Sequence, residues 1–299
     1  MKGTEVTYGG QAVIEGVMMR GPESWAVAVR RPDGSIVVKQ EPLKALSTSG
    51  LWRRPLFRGM AVLYEALVLG VRALTYSAEQ AAGEEEHPVG RWEIAATVLL
   101  GFGLAVVLFF LIPVGLAHLV REQVASSLGQ NLLEGLVRLL VFLLYIVLVG
   151  LLPDIRRVFA YHGAEHRVIN AYEAGAELTP GGVRNYPVLH VRCGTSFLLV
   201  VLVLSILVFS VLGQEPLWWR LVSRILFLPL VAGVSYEFIK LAGRKKEVPL
   251  FQALAVPGLW LQRLTTREPD DAQVAVAIAA LDAVLVKEGG QNAGKTGAT

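Results

Sequence analysis

Four long stretches without charge, or nearly so, constrain this chain more than any other feature. Ile94 to Val120 carries no Asp, Glu, Lys or Arg. A bilayer core needs roughly 20 apolar residues of helix to cross it, so this run is long enough to span. Leu132 to Leu152 is a second run, with Glu134 and Arg138 one helical turn apart near one end. Cys193 to Gln214 is a third, and Leu217 to Leu241 a weaker fourth carrying Arg224, Glu237 and Lys240. Pro113 and Pro229 fall inside spans and predict kinks. Hydrophobic residues make up 54% of the 299, more than a water-soluble domain ordinarily holds. The expected fold class is therefore an α-helical integral membrane protein with about four transmembrane helices.

The basic residues give that bundle a direction. Of 28 Lys and Arg, 11 precede or include Arg91, five lie between Arg156 and Arg192, and eight follow from Lys240. The other two connecting loops hold only Arg121, Arg220 and Arg224. The positive-inside rule then puts both termini and the 153–192 loop in the cytoplasm, which in a bacterium means a multi-pass protein of the inner membrane. The first residues are polar and show no signal peptide. A single cysteine, Cys193, excludes an intrachain disulfide framework.

The remaining segments read as a cytoplasmic cap. Residues 1–52 form a small β unit: Trp25 to Arg30 and Ser35 to Lys39 alternate around Pro32-Asp33-Gly34, a hairpin signal, and Ala12 to Met19 can supply a third strand. Residues 53–90 hold a helix from Pro55 to Gln80 and an acidic linker at Glu84 to Glu86. In that helix Arg58, Glu65, Arg72 and Glu79 recur every seven residues, a narrow polar stripe suited to the membrane interface or to packing on the bundle. A fifth span is the competing reading. Residues 91–243 are the bundle. Residues 244–288 supply an interfacial segment, Phe251 to Leu264, and an amphipathic helix capped by Asp270 or Asp271, with Val274, Ile278, Leu281 and Leu285 on its apolar face. Residues 289–299 read as a disordered tail.

Chemistry concentrates in His162-Gly163-Ala164-Glu165-His166. On a helix starting after Asp154 and ending at Gly175, the two histidines share one face a turn apart, and Glu165 stands close enough to move a proton nearby. The order H-x-x-E-H is the inverted zinc-hydrolase motif. Glu173 is too far along the helix to join His166 at one metal: seven residues rise about 10.5 Å, against bonds near 2.1 Å. His190 and Cys193, three apart at the start of the third span, are the best outside ligands. The candidate set is thus Glu165 as catalytic base and His162, His166, His190 and Cys193 as ligands to Zn²⁺ or another divalent metal. All four ligands together would make a closed, structural zinc site; three with a free position would make an open, hydrolytic one. A third possibility is that no metal binds and the histidines bond to neighbouring groups. Glu15 and Glu237 are remoter candidates, the latter explained more simply by pairing with Lys240. Gly9-Gly10-Gln11 lacks the lysine and following helix of a phosphate loop and suits a turn or close backbone packing. The arginines of the 153–192 loop suit a headgroup-facing rim, with an anionic lipid or phosphorylated substrate as the lesser reading. Nothing favours nucleic acid, and nothing fixes the oligomeric state.

Several stretches resemble the YqhQ-like family of bacterial membrane proteins: Gly9 to Arg20, Tyr161 to Glu173, His190 to Phe197, and Pro257 to Gln262 with Leu264 to Asp271. Val191 departs from the family's pattern, which has proline there. The resemblance implies an integral inner-membrane protein and a metal-dependent enzyme. Taken with the motif, it gives two expectations for function. One is a zinc-type hydrolase acting at the cytoplasmic face on a membrane peptide or lipid. The other is a non-catalytic scaffold or membrane-protein biogenesis factor stapled by a structural His/Cys site.

Overall fold

The computed structural model describes residues 8–48, 50–82, 90–124, 126–210, 216–244 and 248–287. The linker at Glu84 to Glu86 and the tail from Gly289 lie outside the described residues. The chain is mostly helical, with one small antiparallel sheet and three helices long and apolar enough to cross a membrane: Ala95–Leu119, Ser127–Val149 and Val222–Ala242.

The sheet is a four-strand meander, β1 (Gly9–Val13), β2 (Gly16–Arg20), β3 (Ser24–Arg30) and β4 (Ile36–Pro42), in sequence order. The expected third strand, Ala12 to Met19, is instead two strands, folded back so that Val13 pairs with Gly16. The turn is Ile14-Glu15, with Glu15 at φ 50°, a backbone state for which neither residue type is a signal. The β3–β4 hairpin follows its sequence signal. Gly34 takes φ 86°, and the Asp33 carboxylate accepts from the Ser35 N–H and hydroxyl.

Both faces of this sheet are covered, each by a different part of the chain. Trp25, Val27 and Val29 of β3 face Leu69 and Ala73 of α1 (Phe57–Ala82). Ala26 and Ala28, alternate residues on the same strand, face α5 (Pro153–Glu173) and α11 (Asp271–Lys287). Val274, Ile278, Leu281 and Leu285 are all buried in that second core. Asp270 caps α11 reciprocally: its carboxylate accepts from the Gln273 N–H, and the Gln273 side chain accepts from its own N–H.

The seven-residue stripe of α1 points into protein over its first half, Arg58 and Glu65, and into solvent over its second, Arg72 and Glu79. Glu65 is buried, pairs with Arg20 and accepts from the Ser47 N–H at 2.9 Å. Arg58 forks onto Glu237 at 2.6 and 2.8 Å, so Glu237's partner is Arg58 and not the expected Lys240, whose ammonium lies over the Tyr236 ring. Gly59 and Gly233 let α1 and α9 (Leu228–Arg244) approach closely beside that pair, since a methyl on either would strike backbone of the other segment.

The first apolar run is α2 (Arg91–Val106), a π-turn at Val107–Leu111, and α3 (Ile112–Leu119). Pro113 explains the widened turn. Its ring lacks an N–H and crowds the carbonyl four residues back, that of Phe109. The freed Phe109 oxygen accepts instead from Arg138 Nε at 2.8 Å, from α4 (Ser127–Val149). Arg138 also donates to Glu134 at 2.7 Å, and Arg224 closes the group with Glu134 and Asn131. All four are buried in the bundle. The outer faces of α2 and α4 are bare hydrocarbon, with Leu100 76% exposed, a surface suited to lipid and not to water. The third run appears as α7 (Gly194–Ser210), shorter than a full span within the described residues. The fourth is kinked: α8 (Leu217–Leu226) and α9 meet at Phe227, whose N–H still bonds the Ser223 carbonyl and whose carbonyl accepts from the Val231 N–H, with Pro229 in the first turn of α9.

Candidate metal centre

The centre is built where α5 meets the C-terminal end of α10 (Pro249–Thr265) and the loop leading into α7. α5 begins two residues earlier than its acidic cap signal suggests. Leu152 is the cap residue, Pro153 opens the helix, and Asp154 sits inside the first turn, where its charge favours the helix N-terminus. It closes at Gly175, φ 72°, with Ala176 N–H returning to the Ala171 carbonyl. This places His162 and His166 one turn apart on its inner face, ring centroids 4.3 Å apart.

Each histidine is oriented by a carbonyl. His162 Nδ1 lies 2.8 Å from the Thr265 oxygen, at the last residue of α10, where helix carbonyls lack an internal partner. His166 Nδ1 lies 2.8 Å from the Val188 oxygen. A carbonyl only accepts, so both Nδ1 atoms donate, and both Nε2 atoms keep a lone pair. That is the tautomer and second-shell arrangement of metal-binding histidine.

Those lone pairs meet Cys193. Its Sγ is 3.3 Å from His162 Nε2, and one donor atom each from His162, His166 and Cys193 lie within 4.8 Å of one another. Tetrahedral zinc, with bonds of about 2.1–2.3 Å, holds its donors roughly 3.5 Å apart, so small side-chain rotations would close the trio on an ion. Thr195 supports the sulfur through its N–H at 3.4 Å and its hydroxyl at 3.1 Å.

Glu165 aims at the same point. Its Oε2 is 3.7 Å from His166 Nε2 and 4.0 Å from His162 Nε2, and the residue is buried. Burial pushes its carboxyl above the usual carboxylate range, against the pull of His162, His190 and the Gly10 N–H. Gly10 lies in edge strand β1, and a side chain there would crowd Glu165 Cγ at 3.1 Å. Of the pair Gly9-Gly10, Gly10 therefore serves close backbone approach within a strand, while a Cβ at Gly9 would meet nothing within 4 Å.

The loop carrying His190 and Cys193 is held from two sides. Successive α5 side chains take its carbonyls: Arg167 bonds Tyr186, His166 bonds Val188, and Asn170 bonds both Pro187 and Leu189. From α10, fully buried Gln262 accepts from His190 N–H at 2.9 Å and donates to His190 carbonyl at 2.8 Å. His190 itself stands beside the trio, its ring centroid 5.8 Å from that of His166. Its buried Nε2 has no hydrogen-bond partner and faces Glu173 Oε2 at 3.8 Å. The His190 ring and then Arg192 hold the Glu173 carboxyl down to about 2. Glu173 is thus engaged away from the trio. Glu15 is also apart from it, paired with Arg157 and, at 3.2 Å, with the Tyr161 hydroxyl. Thr265, Gln262 and Asn170 were not legible as site residues. The one available signal was Gln262, one of two amides, with Gln252, in a mostly apolar helix.

The family model described as "Protein of unknown function (DUF1385)" matches residues 54–287, which includes every residue of the trio and Glu165. The chain belongs to the DUF1385 family. "Uncharacterized protein YqhQ" of Bacillus subtilis (strain 168) is 38% identical to it over 292 residues, covering 93% of this chain and 92% of that protein. That agrees with the resemblance to the YqhQ-like family. No solved structure matches the chain.

Proposed function

We propose that this DUF1385 member is a metal-dependent hydrolase working at the cytoplasmic face of a bacterial inner membrane, on a membrane-embedded peptide or lipid. One observation carries the reading. Two imidazole lone pairs, each fixed by an Nδ1–H bond to a carbonyl, converge with a thiol and a buried carboxylate. His162, His166 and Cys193 would hold the ion, with Zn²⁺ favoured by the N₂S donor set. When bound it supplies Lewis acidity. Glu165 accepts the proton of the attacking water, a role suited to a carboxylate whose pKa burial has raised. The Lys and Arg distribution supports four spans, with both termini and the centre on the cytoplasmic side.

A second reading has its own observation. Glu165 lies nearly equidistant from both Nε2 atoms, so it can serve as fourth ligand and close the site into a structural staple of a scaffold or biogenesis factor. Metal analysis of the purified full chain and of two variants separates these. The hydrolase reading expects stoichiometric metal in Glu165→Gln with hydrolysis of membrane substrates lost, and no metal in His166→Ala. Substoichiometric metal in the carefully prepared wild type sinks both metal readings. Loss of metal and of folding in Glu165→Gln favours the staple.

A further inference from the structure

An apolar cavity of about 260 Å³ lies between α7, α9 and α10. Leu199, Val203, Phe238 and Ala242 wall it, and its sole polar side chain among the described residues is Ser196. That hydroxyl already accepts from Gln262 Nε2 at 2.8 Å, the amide that clamps His190. Val191 and Ser196, both lining residues, bracket Cys193 in the chain. The cavity therefore begins beside the metal-centre trio and runs along helices of the apolar bundle.

We propose that this cavity receives one acyl chain of an anionic membrane lipid, whose polar end is thereby presented to the His162–His166–Cys193 cluster. The inference rests on the hydrolase reading for what happens at that polar end, and it selects lipid over peptide as the substrate class. Chemistry excludes an extended peptide. Its backbone N–H and C=O groups would enter a wall whose one polar side chain among the described residues is Ser196, and nearly all would go unpaired. A hydrocarbon chain is slim, has no polar group to satisfy, and is the natural guest of a dry apolar cavity. Two cations directly follow lining residues in the chain: Arg192, ion-paired with Glu173, after Val191, and Lys240, whose ammonium lies over the Tyr236 ring, after Ile239. An anionic headgroup is the charge type they would attract.

The test uses the full chain reconstituted into vesicles containing phosphatidylglycerol with a diazirine on one acyl chain. After irradiation, the cross-linked residues are mapped by mass spectrometry, and metal is assayed in the same preparation. The expected result is cross-linking concentrated on Leu199, Val203 and Phe238, and abolished by Ala242→Phe, which fills the cavity, with metal content unchanged. Labels spread over the outer faces of α2 and α4, with none enriched in the cavity of the wild type, overturn the inference without touching the metal reading. Cavity labelling in a preparation without metal leaves the lipid inference standing and overturns the hydrolase. Cavity labelling by a diazirine-bearing apolar peptide, and not by the lipid, overturns lipid in favour of peptide.

Discussion

Gly163→Ala is the most demanding perturbation of the centre because it adds one methyl and removes nothing. A Cβ at Gly163 would be driven into the carbonyl oxygen of Arg267, with Arg267 C at 3.2 Å and Pro269 Cδ at 3.5 Å also in reach. All three atoms belong to the segment joining α10 to α11, and two are backbone, so no flexible side chain can swing aside. To reach the ~3.3 Å at which carbon and carbonyl oxygen ordinarily meet, α5 and that segment must part by about an ångström. Two bonds span the same gap: Arg267 N–H to the Phe159 carbonyl at 2.9 Å, and His162 Nδ1 to Thr265 at 2.8 Å. An added ångström breaks both. Overpacking at about 1–3 kcal/mol and two hydrogen bonds at about 1 kcal/mol each give a loss on the order of 3 kcal/mol. If the sheet, α5 and α11 melt as a unit of roughly a hundred residues, the midpoint falls on the order of 10 °C. Thermal melts in detergent would read this, with metal content measured alongside. Gly181→Ala, where nothing lies within 4 Å, is the control. A Gly163→Ala protein that melts with wild type and binds metal as tightly refutes the argument that this contact sets the centre.

Three other outcomes follow from the same structure. Glu134→Ala leaves Arg138 and Arg224 facing each other in the bundle without their carboxylate, and should cost about 3–5 kcal/mol in detergent melts; a loss below 1 kcal/mol contradicts the assignment. Val107→Arg, at the centre of Ala95–Leu119, should reduce the fraction resistant to alkaline extraction from membranes, since a central cation costs about 2.5–3.5 kcal/mol on insertion; unchanged extraction argues against that span. Glu173, with its pKa lowered from 4.5 to about 2, contributes stability that is fully present above pH 4.5 and lost as pH falls toward 2. Its side chain is 35% exposed, so solvent screening cuts the contribution to about 1 kcal/mol, and Glu173→Gln should remove this acid-dependent portion of the melt.

Apolar runs were the most legible part of the chain, because twenty residues without charge admit few folds. Interruptions within them were less so. Pro229 signals the kink in Leu217 to Leu241, but its place at Phe227, two residues before the proline, carries no signal of its own. In the sheet, the Ile14-Glu15 turn went unseen because its positive φ falls on glutamate rather than on glycine or asparagine. For α11 the apolar face was plain, but not the sheet that receives it, since pairing of distant elements leaves no local signature. His162 and His166 were placed together by helix periodicity alone. Cys193 joins them and His190 faces Glu173, a distinction that spacing cannot make outside a helix, where residues three apart share no fixed face. That difference depends on Gln262 gripping the His190 backbone.

The layering of the cap also sets a clock. Its sheet is complete once β4 has been made, yet Ala26, Ala28, Val17 and Met19 are covered only when α11 has been synthesised, some 250 residues later. At ordinary translation speed that is a delay on the order of tens of seconds. Throughout it, the nascent protein carries an open apolar face at its amino end while the bundle helices are threaded. Thr265, which orients His162, also arrives late. The centre therefore cannot be complete until Thr265 has been made, and a product truncated before it lacks the carbonyl that orients His162.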